Sequence, residues 1–391
     1  MDDLSGIASD ISERFRKIGA KSGVYYSLHE PTFSDIEKDL VVNCIETTFV
    51  STFGEFVGQF EDKISKFVGA KFGIAVVNGT NALQVALRCS GIKANDEVII
   101  PSLTFIATAN AIAYLGAVPN FVDVDDYTLG IDPEKLETYL RKIGEVRDNQ
   151  LYNKNTKNRI SAIVPVHIFG HPVRYNEIRD VALKFNLKIV EDAAEALGSK
   201  YHNRFCGTLG DIGVFSFNGN KIITSGGGGM IVTNDESLAD RCRHLVNTAK
   251  KKNKYEFIHD EIGYNYRLPN LNAALGLGQA QSLPAKLKLK RKLAGEYSQA
   301  FSDAEYGSMV KQPEYCESNY WLNTLFLKEA RPVHEICDKL NDFGIMARPI
   351  WQPLHFSKPY SKCPKDDLSK TIHLYSRLIS LPSSPQIIEN V

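Results

Sequence analysis

Between residues 70 and 235, short apolar runs alternate with longer stretches in which apolar side chains recur every three or four positions. An unbroken short apolar run suits a buried strand, and a period near 3.6 suits a helix with one buried face. Strands are therefore predicted at Gly73–Val77, Glu97–Ile100, Pro119–Val122, Ile160–Val166, Leu187–Glu191, Ile212–Ser216 and Met230–Thr233. Helices are predicted between them at Thr80–Cys89, Ala107–Leu115, Pro133–Lys142, Tyr175–Phe185 and Glu236–Val246. This alternation reads as α/β, a large and mainly parallel sheet with crossover helices on its faces.

The tract Gly144–Asn158 is polar, rich in Asn, Lys, Asp and Gln, and reads as a surface insertion before the next strand. After Pro269 a long helix is expected, with an apolar stripe over Asn270–Ser282 and a solvated basic face over Lys286–Lys292. Past about residue 285 the pattern becomes that of a smaller α+β unit, carrying Trp321–Leu327, Val333–Phe343 and the turn Arg348–His355. The division is placed accordingly, with a large domain over 1–284 and a small C-terminal domain over 285–391. A chain of 391 residues exceeds the size at which one core stops growing, which agrees with two lobes. A further helix is expected after Leu381–Pro385, close to the last residue, so the C-terminus reads as shortened.

Composition bears on partners more than on fold. With 46 basic and 46 acidic side chains the net charge is zero, which argues against nucleic acid or an anionic membrane surface as main partner. No run approaches the apolar length that spans a bilayer, and Met1–Arg14 lacks a basic leader followed by an apolar core, so a cytoplasmic protein is expected. The seven cysteines (44, 89, 206, 242, 316, 337 and 363) are odd in number, scattered and free of Cys-x-x-Cys pairs. They read as buried free thiols in a reducing compartment, with neither a disulfide frame nor a metal site.

The richest stretch is Leu209–Met230, which sets Lys221 between a hydroxyl-bearing turn and the glycines Gly226–Gly229. A lysine amine is a useful nucleophile once its surroundings lower its pKa, and forming a Schiff base with an aldehyde such as pyridoxal phosphate is the best-known such task. That cofactor needs a phosphate cup and a partner for its ring nitrogen. Asn78-Gly79-Thr80 follows a strand and opens a helix, where backbone N–H groups and the helix dipole favour an anion, and Ser216 can add a hydroxyl. Thr80 would equally serve as an ordinary helix cap. Asp192, after Glu191 at the end of its strand, can hold a pyridine nitrogen protonated or simply cap a helix beginning at Ala193. Phe105 can stack on a flat ring or sit in the core. His167 and His171 have metal-ligand spacing, but Gly170 and Pro172 break any helix there, and His167 reads better as lining the cleft. The lysine precedes its glycines, so no phosphate loop of the nucleotide-hydrolase type is present.

Together with Phe60-Glu61, Pro101–Phe105, Val166–Gly170, Glu191–Gly198, Gly210–Phe217 and Gly263–Arg267, these residues resemble the pyridoxal-phosphate sugar aminotransferases of the DegT/DnrJ/EryC1/StrS group, over nearly the whole chain. The resemblance implies the type I, aspartate aminotransferase-like fold, with Lys221 as the Schiff-base lysine and Asp192 on the pyridine nitrogen. It further implies that Gly79, Thr80 and Ser216 hold the phosphate, that Phe105 stacks on the ring, and that Asn265 reaches the phosphate of the neighbouring subunit of a homodimer. Glu195 stands near the cofactor's hydroxyl where many members carry Gln or His, Asn78 where serine is common, and Gly227 where an acid is frequent. Ser27–Pro31, Val50–Gly54 and Thr224–Met230 are similar to the branch that aminates UDP-4-keto-6-deoxy-N-acetylglucosamine for bacillosamine and legionaminic acid synthesis. This implies L-glutamate as donor and pyridoxamine phosphate as the intermediate cofactor form. His355, Trp351, Arg267 and His259 are candidate sugar contacts. A dehydratase or isomerase on the same cofactor, or a non-catalytic regulator, are the competing readings.

Overall fold

Residues 4–251 and 253–389 are described by the computed structural model; residues 1–3, 252, 390 and 391 of the expected domains lie outside them. The large sheet is built from β1 (Phe72–Val76), β2 (Glu97–Pro101), β3 (Val118–Val122), β4 (Gly144–Arg147), β5 (Gln150–Asn153), β6 (Arg159–Ile163) and β7 (Lys188–Asp192), followed after the short β8 (Lys200–Tyr201) and β9 (Arg204–Phe205) by β10 (Ile212–Ser216) and β11 (Gly229–Thr233). Its main path runs β1-β11-β10-β7-β6-β2-β3. Strands β10, β7, β6, β2 and β3 are mutually parallel, while β11 is antiparallel to both of its neighbours. The type I pyridoxal-phosphate transferase fold expected from the sequence is therefore present.

Preceding the sheet are helices α1 (Leu4–Lys17), α2 (Asp35–Glu46) and α3 (Glu55–Val68), which the hydrophobic pattern left unassigned. Crossovers are made by α4 (Gly79–Cys89), α5 (Ala107–Ala113), α6 (Pro133–Ile143), α7 (Tyr175–Phe185) and α8 (Glu236–Val246), close to the predicted bounds. Local chemistry accounts for their starts. Asp132 accepts from the N–H groups of Glu134 and Lys135 ahead of Pro133, and Asp235 accepts from Leu238 N–H. Two apolar cores cover the two faces of the sheet, one including Phe60, Ile99, Ile163 and Phe215, the other Val85, Ile100, Val164 and Val214.

Two expectations are corrected. Gly144–Asn158 is a hairpin: β4 and β5 pair with each other and β5 pairs with β6, extending the sheet. Its polar side chains are used internally, since Asn153 Nδ2 donates to the buried Glu97 carboxylate at 2.9 Å and Thr156 donates to the same group. Lys286–Lys292 is not wholly a solvated face. It belongs to α9 (Asn270–Ala300), where Lys290 is 1% exposed and its Nζ donates to the carbonyls of Trp321 at 2.8 Å and Ser383 at 2.5 Å.

The smaller lobe carries β12 (Gly307–Met309), β14 (Asn323–Leu327), β15 (Arg348–Pro349) and β16 (Leu378–Leu381), paired antiparallel in the order β12-β14-β16-β15, while β13 (Cys316–Glu317) joins β8. Helices α10 (Val333–Asp342), α11 (Ser369–Tyr375) and α12 (Gln386–Glu389) complete it. Its core joins Leu325, Ile336, Leu340 and Ile379 to Leu293 and Tyr297 of α9 and to Ile11 and Phe15 of α1. Residue 284 lies inside α9, so the two lobes share one helix, and α1 packs with the smaller lobe.

Candidate active site

The parallel strands deliver their C-terminal ends to one edge, where open α/β sheets bind ligands. Asp192 ends β7, Ser216 ends β10, Asn78 follows β1, and Phe105 lies between β2 and α5. These ends and the smaller lobe enclose a cavity of about 860 Å³, lined among others by Gly79, Thr80, Phe105, Asp192, Glu195, Ser216, Lys221 and Trp351. Ligand pockets commonly occupy ~300–1,000 Å³.

At one end is the start of α4. The Asn78 side chain caps it by accepting from Asn81 N–H at 2.8 Å, and the Gly79 and Thr80 N–H groups find no partner among the described residues. Two such donors at a helix start form an anion cup. Glycine is required there by space, because a Cβ on Gly79 would lie 2.9 Å from Ser216 Cβ.

Lys221 sits on the turn between β10 and β11, its side chain 14% exposed. Its Nζ lies 3.6 Å from Glu195 Oε1 and 3.8 Å from the centre of the Trp321 ring. Burial lowers the amine's pKa, and the charges of Glu195 and Asp192 pull it back up. Burial also pushes the Glu195 carboxyl up to about 7, against the pull of Lys221 and of the Phe169 N–H, which donates to Oε2 at 2.8 Å. Phe169 takes a left-handed backbone, φ 54°, uncommon for a bulky residue. Strain of this kind persists where surrounding contacts hold it. Here it aims the N–H at Glu195, while the ring stacks 5.1 Å from Trp351. Asp192 accepts from Thr108 Oγ1 at 2.7 Å and from Ala194 N–H at 3.2 Å, and turns rather than a helix follow it, so it caps no helix.

Several expected residues lie elsewhere. Glu191 faces away from Asp192, as alternation along a strand requires. Its carboxylate accepts from the N–H groups of Gly207, Leu209 and Gly210 and from His167. His167 does not line the cleft. It is fully buried, and because Nδ1 accepts from Val173 N–H, Nε2 carries the proton given to Glu191. His355 is buried behind the wall, its Nδ1 2.7 Å from Ser102 Oγ, whereas Trp351 does reach the cavity. Asn265 and His259 are exposed and Arg267 is half-buried beside β1, all three outside the cavity lining. His259 donates to the Thr248 carbonyl at 2.8 Å. The ligand-type group His244, Asp260 and Glu261 lies outside the cavity too, and its carboxylates already hold Arg88, Arg241 and Lys251.

Trp321, Phe169 and Thr108 were not singled out by sequence reasoning. A tryptophan under a distant lysine leaves no trace in periodicity; Phe169 lies in the Val166–Gly170 stretch noted above without a role of its own. Trp321 is fixed by its indole N–H, which donates to the Asn220 carbonyl at 2.7 Å, next to Lys221.

This donor set fits a phosphorylated pyridine aldehyde: free N–H groups and a hydroxyl at one end, an amine with weakened basicity in the wall, a carboxylate on the floor and an exposed phenyl ring, Phe105, above. The sequence profile of the DegT/DnrJ/EryC1/StrS aminotransferase family matches residues 32–390. The chain is 36% identical to a GDP-perosamine synthase of Escherichia coli O157:H7, over 93% of this chain and 94% of that one. It is 32% identical to a UDP-N-acetyl-3-dehydro-alpha-D-glucosamine 3-aminotransferase of Acidithiobacillus ferrooxidans, over 84% of each. Among solved structures, a DegT DnrJ EryC1 StrS aminotransferase from Brucella abortus superposes with a TM-score of 0.82 at 29% identity, covering 91% of this chain and 94% of that one.

Proposed function

Since the chain belongs to the DegT/DnrJ/EryC1/StrS aminotransferase family, we propose that it moves the amino group of L-glutamate to the C4 ketone of a UDP-linked 4-keto-6-deoxy-N-acetylhexosamine. The product is a UDP-4-amino-4,6-dideoxy sugar, made in the cytoplasm for cell-surface glycans of the bacillosamine or legionaminic acid type. The observation carrying this reading is the buried Lys221 amine, weakened as a base, set beside Glu195 in a cavity that ends in an anion cup.

Pyridoxal phosphate, the family's cofactor, supplies an aldehyde that exchanges amines and a ring that draws electrons from the adjoining carbon. The residues' tasks follow from their placement. Gly79 and Thr80 N–H groups and the Ser216 hydroxyl hold the phosphate; Phe105 covers the ring; Asp192, locked by Thr108, takes the ring nitrogen. Burial leaves more of Lys221 Nζ unprotonated near neutrality than at an exposed lysine, so the amine can accept a proton from carbon and return it. Glu195, with its carboxyl near 7, can hold a proton 3.6 Å away. Asn265, exposed and away from its own cavity, serves the site of a second copy, so the working unit is a homodimer.

The test is the visible spectrum of the loaded protein. L-Glutamate should bleach the Schiff-base band and UDP-4-keto-6-deoxy-N-acetylglucosamine should restore it. Bleaching without recovery rejects the sugar, and no band after adding pyridoxal phosphate rejects the role of Lys221. Lys221→Ala is expected to abolish turnover, and steady-state transamination by that variant would refute the assignment. A GDP-linked keto sugar is the second reading, favoured by the similarity to a GDP-perosamine synthase; recovery of the band with that sugar instead would select it. Stoichiometric transfer of nitrogen from glutamate to product separates both from a dehydratase, an isomerase or a regulator.

A further inference from the structure

At the end of the cavity away from the α4 cup, the lining comes from the smaller lobe and carries the opposite charge to the floor. Arg348 of β15, His334 in the first turn of α10, Tyr375 at the end of α11 and Ser380 of β16 all line it. Arg348 and Ser380 are register partners in the sheet, and α10 packs on β15, so topology rather than a chance rotamer holds this group together.

None of these four side chains has a hydrogen bond or ion pair among the described residues. That is unusual in this molecule. Arg14, Arg159, Arg174 and Arg291 each hold a carboxylate. The carboxylates lining the cavity, Asp192 and Glu195, are already engaged, the first by Thr108 and the second by Phe169 N–H and Lys221. A guanidinium offers five donors in a planar fork that matches carboxylate or phosphate oxygens, and it cannot shed its charge. Left without a protein partner beside a phenol, a hydroxyl and an imidazole, it is a vacant anion receptor facing the reaction cavity.

We infer that Arg348, supported by His334, Tyr375 and Ser380, is a recognition subsite for the anionic oxygens of an incoming substrate, an inference that rests on the aminotransferase reading. Two sources present this chemistry: the carboxylates of the amino donor and the diphosphate of the nucleotide sugar. The subsite sets substrate affinity. It does not hold the cofactor, whose phosphate end is the α4 cup.

The experiment uses holoenzyme, wild type against Arg348→Met and Arg348→Lys. One arm titrates L-glutamate by loss of the Schiff-base band; the other titrates UDP and GDP by calorimetry. Arg348→Met is expected to weaken one arm at least fivefold, and Arg348→Lys to recover part of it because charge is kept while the fork is lost. A glutamate effect assigns the subsite to the donor carboxylate, and a nucleotide effect to the diphosphate. Less than fivefold on both arms overturns the inference, as does a wild-type protein that binds neither L-glutamate nor either nucleotide. An unchanged resting band in the variant shows that fold and cofactor site are intact. If glutamate fails to bleach the wild type, the aminotransferase reading falls, while the nucleotide arm still reports on Arg348.

Discussion

At the scale of the residue, the site is a set of pKa values bent by burial. Glu195 is the sharpest case, with a carboxyl near 7 in the folded chain against about 4.3 in an unfolded one. A group whose folded pKa is raised adds stability that is full below the unfolded value and is lost as pH rises through the folded one. Wild-type apoprotein should therefore lose stability relative to Glu195→Gln between about pH 4.3 and 7, by at most about 3 kcal/mol. Thermal midpoints of both proteins at pH 5 and 8 test this, and parallel profiles would reject the assignment. Steric demand is equally local at Gly79. Gly79→Val pushes a branched side chain into Ser216 and into the cup, so it should weaken pyridoxal-phosphate binding at least tenfold in fluorescence titration, with the far-ultraviolet circular dichroism unchanged.

At the scale of the element, α9 shows what a pattern of charges conceals. Its basic run looks solvated in sequence, yet Lys290 turns inward and ties the helix to the carbonyls of Trp321 and Ser383. Burial holds this amine well below the usual lysine pKa. Lys290→Met keeps the apolar stem and leaves two buried carbonyls without donors, a loss of about 1–3 kcal/mol. A depressed pKa contributes stability that is present above the unfolded value, about 10.4, and is lost as pH falls toward the folded one. The deficit of the methionine variant should therefore be larger at pH 10 than at pH 7. Urea midpoints at the two pH values measure it, and an equal deficit would argue against a neutral amine. The β4–β5 hairpin teaches the same lesson: residues polar enough to suggest a loop instead satisfy the buried Glu97.

At the scale of the whole molecule, the reaction cavity lies where two lobes meet around a shared helix, and one chain leaves conspicuous apolar surface outside it. Ile45, Phe49 and Phe53, on the path from α2 to α3, are 61%, 57% and 66% exposed. Exposed apolar patches of this kind mark interaction surfaces. With Asn265 outside its own cavity, this face is expected to bury itself against a second copy. Sedimentation velocity should give twice the mass of one chain, and Phe49→Asp should shift it toward the monomer while weakening cofactor binding. A monomeric wild type would end the shared-site proposal. Among the described residues, no helix is long and apolar enough to cross a membrane.

The sequence by itself determined the crossover helices and buried strands, because burial on both faces writes an unbroken apolar run and burial on one face writes a 3.6-residue period. It also carried the motif around Lys221 and the Asn78–Thr80 helix start, since a strand end, a glycine and a cap are local signals. It did not reveal α2, whose exposed Val42 and Ile45 blur the amphipathic stripe, nor the bond between α1 and the smaller lobe, which joins residues near opposite ends of the chain. Only the tertiary structure decided that Glu191 and His167 turn away from the cavity, that Trp321 lies against Lys221, and that Arg348 faces the cavity unpaired. The reason is the same in each case. Which way a polar side chain points, and what it meets there, depends on neighbours supplied by distant segments, and a one-dimensional pattern carries no record of those meetings.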